Sequence, residues 1–332
     1  MNPPKCSEYD YINFLVAAQT IFSAVEASRT HPEGNQGAAH DAYTRLLQRL
    51  PPDSESLWTE VQPLVNRQSG LLVLDDTTLD KPHASKMALV TRHWSGKHHR
   101  VVKGINLISL LWTDESHGRL PCDFRLYNKS NDGLDKNQHF RAMLQAAKDR
   151  GFTPQLVMFD SWYSGLKNLK AVRVHGWHWL TQLKGNRQVS QYKGGNCPVR
   201  DLLIPPNGLI AHLKGYGKIK VFRTVAKNGD AEYWATSNLA MTLEECAFHA
   251  LDAWQIEVYH RGLKQFTGIE RGQFRLEVSQ RNHIGLAIRA FVRLEAHRLR
   301  TGITWFETKL SIIREAIRAY LSHSQLILKP TA

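Results

Sequence analysis

The sequence predicts an α/β protein: a mixed sheet with flanking helices, interrupted by a β-rich insertion, preceded by a helical N-terminal domain and closed by a helical C-terminal tail. Three observations predict this. Apolar residues recur at helical spacing before Gly70; the short apolar runs Leu71–Leu74 and Gln155–Phe159 each lead into aspartates; and a glycine-bearing, alternating stretch, Lys184–Asp230, gives way to long helical patterns from Thr242 onward.

Taken in order, Ile12, Leu15, Val16, Ile21, Phe22 and Val25 form one helical pattern, and Leu46, Leu47 and Leu50 a second, with HPEGNQG (His31–Gly37) as the break. Pro51, Pro52 and Asp53 precede a third pattern, Leu57–Val65, so the segment reads as about three helices. At Gly70 the character changes. Leu71–Leu74 reads as a buried strand ending at Asp75 and Asp76, and Lys86–Trp94 and Lys103–Thr113 as further strands joined by the polar link GKHHR (Gly96–Arg100). Asn137–Arg150 carries Phe140, Met143, Leu144 and Ala147 on one helical face and stops at Gly151. Gln155–Phe159, Leu166–Val174 and His178–Leu183 then read as strand, helix, strand, a βαβ unit with Asp160 at the end of its first strand. Ile219–Val225 and Glu232–Thr236 are strand-like within the insertion. Thr242 with Glu245 marks a capping box, and helix is expected through Gly268, over Glu277–Arg300 and over Trp305–Ser322. The expected division is 1–69, 70–183, 184–240 and 241–332.

A chain of 332 residues with 42% apolar content can bury a sizeable core. Forty-three Lys and Arg against 30 Asp and Glu give +13, a field that attracts a polyanion and puts nucleic acid first among partners. Cys6, Cys122, Cys197 and Cys246 form no CxxC pair, which argues against a zinc site and a disulfide scaffold and for a reducing compartment. MNPPKCSEYD has no signal-peptide pattern, and no apolar run approaches the ~20 residues of a membrane span. The expected setting is the cytoplasm, with no membrane association.

The chemistry is carried by acids. In LDAWQIEVYHRGLKQ (251–265), Trp254, Glu257, Arg261 and Lys264 share one helical face, while Ile256, Tyr259, Leu263 and Phe266 occupy the face beside it. Glu257 with Arg261 also suits an ordinary i,i+4 ion pair on a solvated helix, worth only about 0.3–0.5 kcal/mol. Two strands ending in Asp75 and Asp160 shift the balance, because phosphodiester transfer needs hard oxygen ligands around a metal pair about 3.5–4 Å apart. Three carboxylates from distant parts of the chain meet that need, and their mutual repulsion is relieved only when cations fill the site.

The residues LLVLDDTTLDK (71–81), LVMFDSWYSGLKNL (156–169) and WQIEVYHRGLKQFTGIERGQFR (254–275) resemble the three acidic motifs of bacterial insertion-sequence DDE transposases, most closely the branch spanning families four and seven-hundred-and-one. The resemblance covers about Leu71 to His297. It implies an RNase H-like core, with Asp75, Asp160 and Glu257 as catalytic residues holding two Mg²⁺ or Mn²⁺ ions. Lys264, seven residues after Glu257, matches the family's phosphate-contacting lysine, and Arg261 is placed to reach a phosphate too. The Tyr and Arg positions of that signature are Ala250 and Ala253 here, which leaves their phosphate contacts without a carrier. The implied partners are the element's terminal inverted repeats and target DNA, both double-stranded, bound by a homodimer at the bacterial nucleoid. The implied reaction is nicking at the element's ends followed by attack of the freed 3′-hydroxyl on target DNA.

Asp76 competes with Asp75 for the first role, since neighbours on a strand point to opposite faces and only one can aim at the metals; the D-x-T match favours Asp75. Asp80 and Lys81 read as turn or surface residues. Trp162, Tyr163 and Trp254 are candidates for stacking on a base near the cut, with core packing the commoner fate of such rings. His98, His99 and His260 suggest a metal cluster only superficially, and His98 with His99, in a hairpin, reads as a solvated or phosphate-facing patch. Arg271, Arg275, Arg281, Arg289, Arg293, Arg298 and Arg300 suggest a basic helical surface for DNA. The insertion, with Lys193, Arg200, Lys214, Lys218 and Lys220, reads as a DNA-facing element that the core does not need in order to fold. A nuclease that cuts without joining, and a catalytically inactive DNA-binding relative, are the rival readings.

Overall fold

The computed structural model describes residues 4–95, 100–128, 132–191, 195–226 and 229–323. The link at 96–99 with His98 and His99, and Lys193 of the insertion, lie outside the described residues. Helices α1 (Glu8–Ala17), α2 (Ala24–Arg29), α3 (His40–Arg49) and α4 (Glu55–Val61) lead into strands β1 (Leu71–Asp80), β2 (Thr91–Ser95), β3 (Arg100–Thr113) and β4 (Leu120–Tyr127). Helix α5 (Lys136–Asp149), strand β5 (Leu156–Phe159), helix α6 (Leu166–Val174) and strand β6 (Trp179–Leu183) follow. Short strands β7 (Gln188–Val189) and β8 (Cys197–Pro198) precede β9 (Leu209–Leu213), β10 (Gly217–Val225) and β11 (Ala231–Thr236). The chain closes with helices α7 (Leu243–Ala253), α8 (Gln255–Phe266), α9 (Glu277–Thr301) and α10 (Trp305–Ser322).

The mixed α/β, RNase H-like architecture read from the sequence is the one observed. Nine strands form one sheet in the order β2-β3-β1-β5-β6-β11-β10-β9, with β4 also paired to β3. Strand β1 runs antiparallel to β3 and parallel to β5, and β5 runs parallel to β6. Parallel neighbours need crossovers, which α5 and α6 supply. Leu71–Leu74 and Leu156–Phe159 are buried throughout, the unbroken apolar reading of strands covered on both faces. Gly104 lets β3 close on β1: a Cβ there would lie 2.4 Å from Thr78 Cγ2 and 2.5 Å from the Leu79 carbonyl oxygen.

Several expectations need correction. Strand β1 does not end at the acids but continues through Thr77 and Thr78 to Asp80, because its ladder with β3 extends as far as Asp80 opposite Gly104. Only Thr91–Ser95 of the expected strand from Lys86 pairs, and β4, which carries no clean alternation, was not anticipated; its Leu120, Cys122, Asp123 and Phe124 are all buried. Lys81 is buried, not a surface residue. The helix expected over Thr242–Gly268 breaks at Trp254 into α7 and α8, although its start is as read, with the Thr242–Glu245 capping box formed. The insertion is not a separate body: β11 pairs antiparallel with β6, so β9, β10 and β11 extend the central sheet.

Compactness also divides the chain differently, into 53–261 and a helical unit of 1–52 with 262–332. The sheet unit takes α4, whose Trp58 packs on Phe152 with ring centroids 5.5 Å apart. In the helical unit, α1 and α3 pack on α9. Asn282 donates to the carbonyls of Leu47 and Leu50, and Arg289 makes a two-pronged pair with Glu8 at 2.8 and 3.0 Å. These bonds answer the expectation of a basic DNA surface on the last helices. Arg289 is buried, Arg298 pairs with buried Glu295, Arg293 donates to Asn13 and Arg281 pairs with Glu277, so four of the seven arginines serve the protein's own packing. Arg271, Arg275 and Arg300 remain exposed.

Candidate active site

The two central parallel strands bring the aspartates together. Leu74 of β1 stands opposite Phe159 of β5, and Asp75 and Asp160 are the next residues on each. Strand β1 continues, whereas β5 stops and the chain turns through a single 3₁₀ turn, Ser161–Tyr163. Asp160 caps that turn: its Oδ1 accepts from the backbone N–H groups of Trp162 at 3.0 Å and Tyr163 at 3.3 Å.

Adjacent residues on extended β1 point to opposite sides, and their contacts identify the sides. Asp76 meets α5, Asn106 of β3 and Tyr163: its Oδ2 accepts from Asn106 Nδ2 at 2.6 Å and Lys136 Nζ at 2.7 Å, and its Oδ1 from the Tyr163 hydroxyl at 2.7 Å. Asp75 meets α8 instead, its Oδ2 lying 4.0 Å from Nδ1 of buried His260. Glu257 lies one turn before His260 on the same helix, with Ile256 and Tyr259 buried beneath it and its own side chain exposed.

The electrostatics separate the two neighbours. Burial, followed by the charges of Asp76, Asp160 and Glu257, pushes the Asp75 carboxyl well above the usual carboxylate range. Burial also raises Asp160, reinforced by Asp76 and opposed by the amides of Tyr163 and Trp162. For Asp76 burial is outweighed by the Lys136 ammonium and by the hydrogen bonds from Asn106, Lys136 and Tyr163, which hold it below the ordinary value. Asp75 thus carries an uncompensated repulsion that Asp76 does not.

The donor set of Asp75, Asp160 and Glu257 suits a hard divalent cation, because Asp160 and Glu257 are among the charges that, after burial, raise Asp75, and positive charge placed among the three relieves that repulsion. Among the described residues no three His, Cys, Asp or Glu side chains already stand close enough to complete a ligand set.

Of the remaining candidates, Arg261 is exposed, and Lys264, in the helical unit, stands 3.3 Å from Glu270. Trp254 is 60% exposed at the break between α7 and α8, and Trp162 is 48% exposed, so both rings are open to a flat partner. Tyr163 is not. It is fully buried, its ring stacked on Phe140 at 5.4 Å and its hydroxyl on Asp76, so base stacking by Tyr163 is withdrawn. Sequence reasoning missed Lys136 and Asn106 as neighbours of the acids and set His260 aside as only superficially suggestive of a metal cluster. Only His260 left a signal, three residues after Glu257 on one helix; Lys136 stands 60 positions from Asp76 and nothing local marks it.

This chain belongs to the DDE superfamily endonucleases, whose family matches residues 14–198, more than half of it. The archaeal transposase family ISC1217 matches residues 136–305, across the second aspartate and Glu257. The protein is a transposase of the DDE type. Nothing among the curated proteins matches the sequence. Among solved structures it is similar to the piggyBac transposase synaptic complex with hairpin DNA, with a TM-score of 0.53 at 10% identity, covering 98% of this chain and 74% of that one; the likeness is one of fold. It also aligns with the Drosophila P element transposase strand transfer complex, with a TM-score of 0.32 at 9% identity, covering 98% and 88%. Among the described residues no helix is long and apolar enough to cross a membrane.

Proposed function

We propose that the protein cuts DNA at the ends of a mobile element and joins the freed 3′-hydroxyl to target DNA, with Asp75, Asp160 and Glu257 as its catalytic carboxylates. The observation that carries this reading is geometric: Asp75 and Asp160 directly follow the paired Leu74 and Phe159 of neighbouring parallel strands, and Asp75 faces α8, the helix that carries Glu257, through His260. Asp75 is favoured over Asp76 because its carboxylate faces Glu257's helix, while Asp76 is engaged by three donors. These three residues would hold Mg²⁺ or Mn²⁺, and a metal pair supplies activation of the attacking oxygen and stabilisation of the leaving one. Both steps are in-line displacements at phosphorus, so one carboxylate set serves both. Arg261 in the sheet unit neutralises phosphate and Trp254 and Trp162 there offer stacking surfaces, while Lys264, Arg271 and Arg275 are cations of the helical unit for double-stranded DNA, which a homodimer binds.

The direct test supplies linear DNA bearing the element's end, a target plasmid and Mg²⁺. End cleavage followed by covalent joining is expected. Cleavage that never proceeds to joining reduces the protein to a hydrolytic nuclease, and binding without cleavage reduces it to a DNA-binding relative.

Two further outcomes follow. Binding should weaken with salt, each phosphate contact contributing about −0.9 to the slope of log K against log salt, so Arg261→Ala and Lys264→Ala should each lower the slope by about one. A titration of fluorescent duplex at several salt concentrations checks this, and an unchanged slope in either variant removes that residue from the contact.

Asp75 provides a stability signature. Its carboxyl is raised in the folded protein, so the folded state holds this proton more tightly than the unfolded one. Stability of the metal-free protein is therefore lost as pH climbs from the unfolded value towards the folded one, and stays lost above it. Asp75→Asn removes the charge and should raise the metal-free melting temperature near pH 8 by about 2–4 °C, the shift that about 1 kcal/mol gives in a domain of this size, with the gap closing towards pH 4. A variant that melts lower than wild type at pH 8 contradicts the repulsion argument.

A further inference from the structure

Asp76 has no place in the proposed ligand set, yet its carboxylate accepts three hydrogen bonds of 2.6–2.7 Å, from Asn106, Lys136 and Tyr163. To ligate a cation it would have to give some of them up. Two of its three partners, Lys136 and Tyr163, meet one short piece of chain. Tyr163, whose hydroxyl is held by Asp76, donates its backbone N–H to Asp160 Oδ1 at 3.3 Å. Lys136, whose ammonium is held by Asp76, sits 5.3 Å from the ring centroid of Trp162, and the Trp162 backbone N–H donates to the same Oδ1 at 3.0 Å.

Both amides that fix Asp160 therefore belong to residues linked to Asp76, Tyr163 directly and Trp162 through Lys136. The turn they form, Ser161–Tyr163, follows the last residue of β5 and has no strand ladder of its own. Stacking of Tyr163 on Phe140 of α5, and the hydrogen bonds from Asn168 Nδ2 to the Tyr163 carbonyl and to Asn137, secure its far side. Asp160 Oδ2 takes part in no hydrogen bond among the described residues.

We propose that Asp76 is a positioning residue: with Lys136 and Tyr163 it locks the turn after β5, so that Asp160 spends one oxygen on the turn and presents the other to the divalent cation. The proposal rests on Asp160 being a metal ligand. A charged side chain next to the first catalytic aspartate thereby acts through the second, from the opposite side of the strand. Supporting groups of this kind change metal affinity or activity by about 10–100-fold when removed.

The experiment measures Mn²⁺ binding by calorimetry, and DNA-end cleavage against Mg²⁺ concentration, for the full chain and for Asp76→Ala, Asp76→Asn and Tyr163→Phe. Asp76→Ala is expected to weaken Mn²⁺ binding by about 10–100-fold and to raise the Mg²⁺ needed for half-maximal cleavage in parallel. DNA affinity should be unchanged and cleavage recovered at saturating metal. Asp76→Asn, which keeps an acceptor for the Tyr163 hydroxyl, should recover part of the affinity. Tyr163→Phe should shift metal binding the same way by about 2–10-fold, the worth of one hydrogen bond, and should add nothing once Asp76 is alanine.

A folded Asp76→Ala protein with wild-type metal affinity overturns the proposal, and so does one that stays inactive at saturating Mn²⁺, which would make Asp76 itself a ligand. If circular dichroism shows Asp76→Ala unfolded, Tyr163→Phe decides, and unchanged metal affinity there overturns it. A wild-type chain that neither binds Mn²⁺ nor cleaves defeats the proposed function itself and this inference with it, an outcome distinct from a wild type that binds metal and a variant that binds it equally well.

Discussion

Alanine in place of Asp75, Asp160 or Glu257 is expected to lower Mg²⁺-dependent end cleavage by at least about 10³-fold, while affinity for the same DNA stays within about twofold of wild type. The size follows from what is lost: a metal pair contributes several kcal/mol of charge stabilisation at the reacting phosphorus, and each 1.36 kcal/mol is a factor of ten in rate. DNA affinity is expected to be spared because the proposed phosphate contacts are made by cations such as exposed Arg261 and not by the carboxylates. A gel-shift and a cleavage assay on one preparation check both halves. Retained cleavage in any one variant removes that residue from the set. An active Asp75→Ala beside an Asp76→Ala that no metal concentration revives would reverse the choice between the neighbours.

The second large effect concerns the insertion. Replacing Lys184–Asp230 with a short Gly/Ser linker is expected to leave a protein that does not unfold cooperatively, the opposite of what its glycines and turns suggest. The segment carries β9 and β10, and within it Val189, Val199, Leu213, Tyr216, Ile219, Val221 and Phe222 are buried. Tyr216 closes over Trp179 of β6, ring centroids 5.5 Å apart, and its hydroxyl accepts from the indole N–H at 2.9 Å. Losing large buried side chains costs about 3–5 kcal/mol each, against a total stability of only about 5–15 kcal/mol. Far-ultraviolet circular dichroism with a urea titration reads the outcome, and a sharp transition with native m-value would mean that β6 and β11 suffice as an edge. The same topology puts exposed Lys218 on β10 and exposed Lys214 in the turn between β9 and β10, with exposed Arg200 in a 3₁₀ turn after β8, whereas Lys220 is turned inward to the Met241 carbonyl.

The sequence by itself determined the periodic elements and the chemical types at the site. Helices α5, α6, α9 and α10 and strands β5 and β6 were legible because their apolar spacing is local and their caps are short-range: the Thr242–Glu245 box and the glycine after α5 each involve residues only a few positions apart. Asp75, Asp160 and Glu257 stood out for the same reason, as acids at the ends of apolar runs or on one face of a helix. Tertiary structure alone decided the rest. Strand β4 pairs with β3 despite carrying buried Asp123, because a ladder partner and burial override a weak pattern. The insertion's place in the sheet is settled by the ladder from Tyr233–Thr236 to Leu180–Leu183, contacts some 50 positions apart that no local spacing encodes. The difference between Asp75 and Asp76 is likewise tertiary. Both are aspartates on one strand, and only the arrival of Lys136, Asn106 and Tyr163 on one side, and of α8 on the other, holds one carboxylate by three donors and leaves the other raised by burial and by its acidic neighbours.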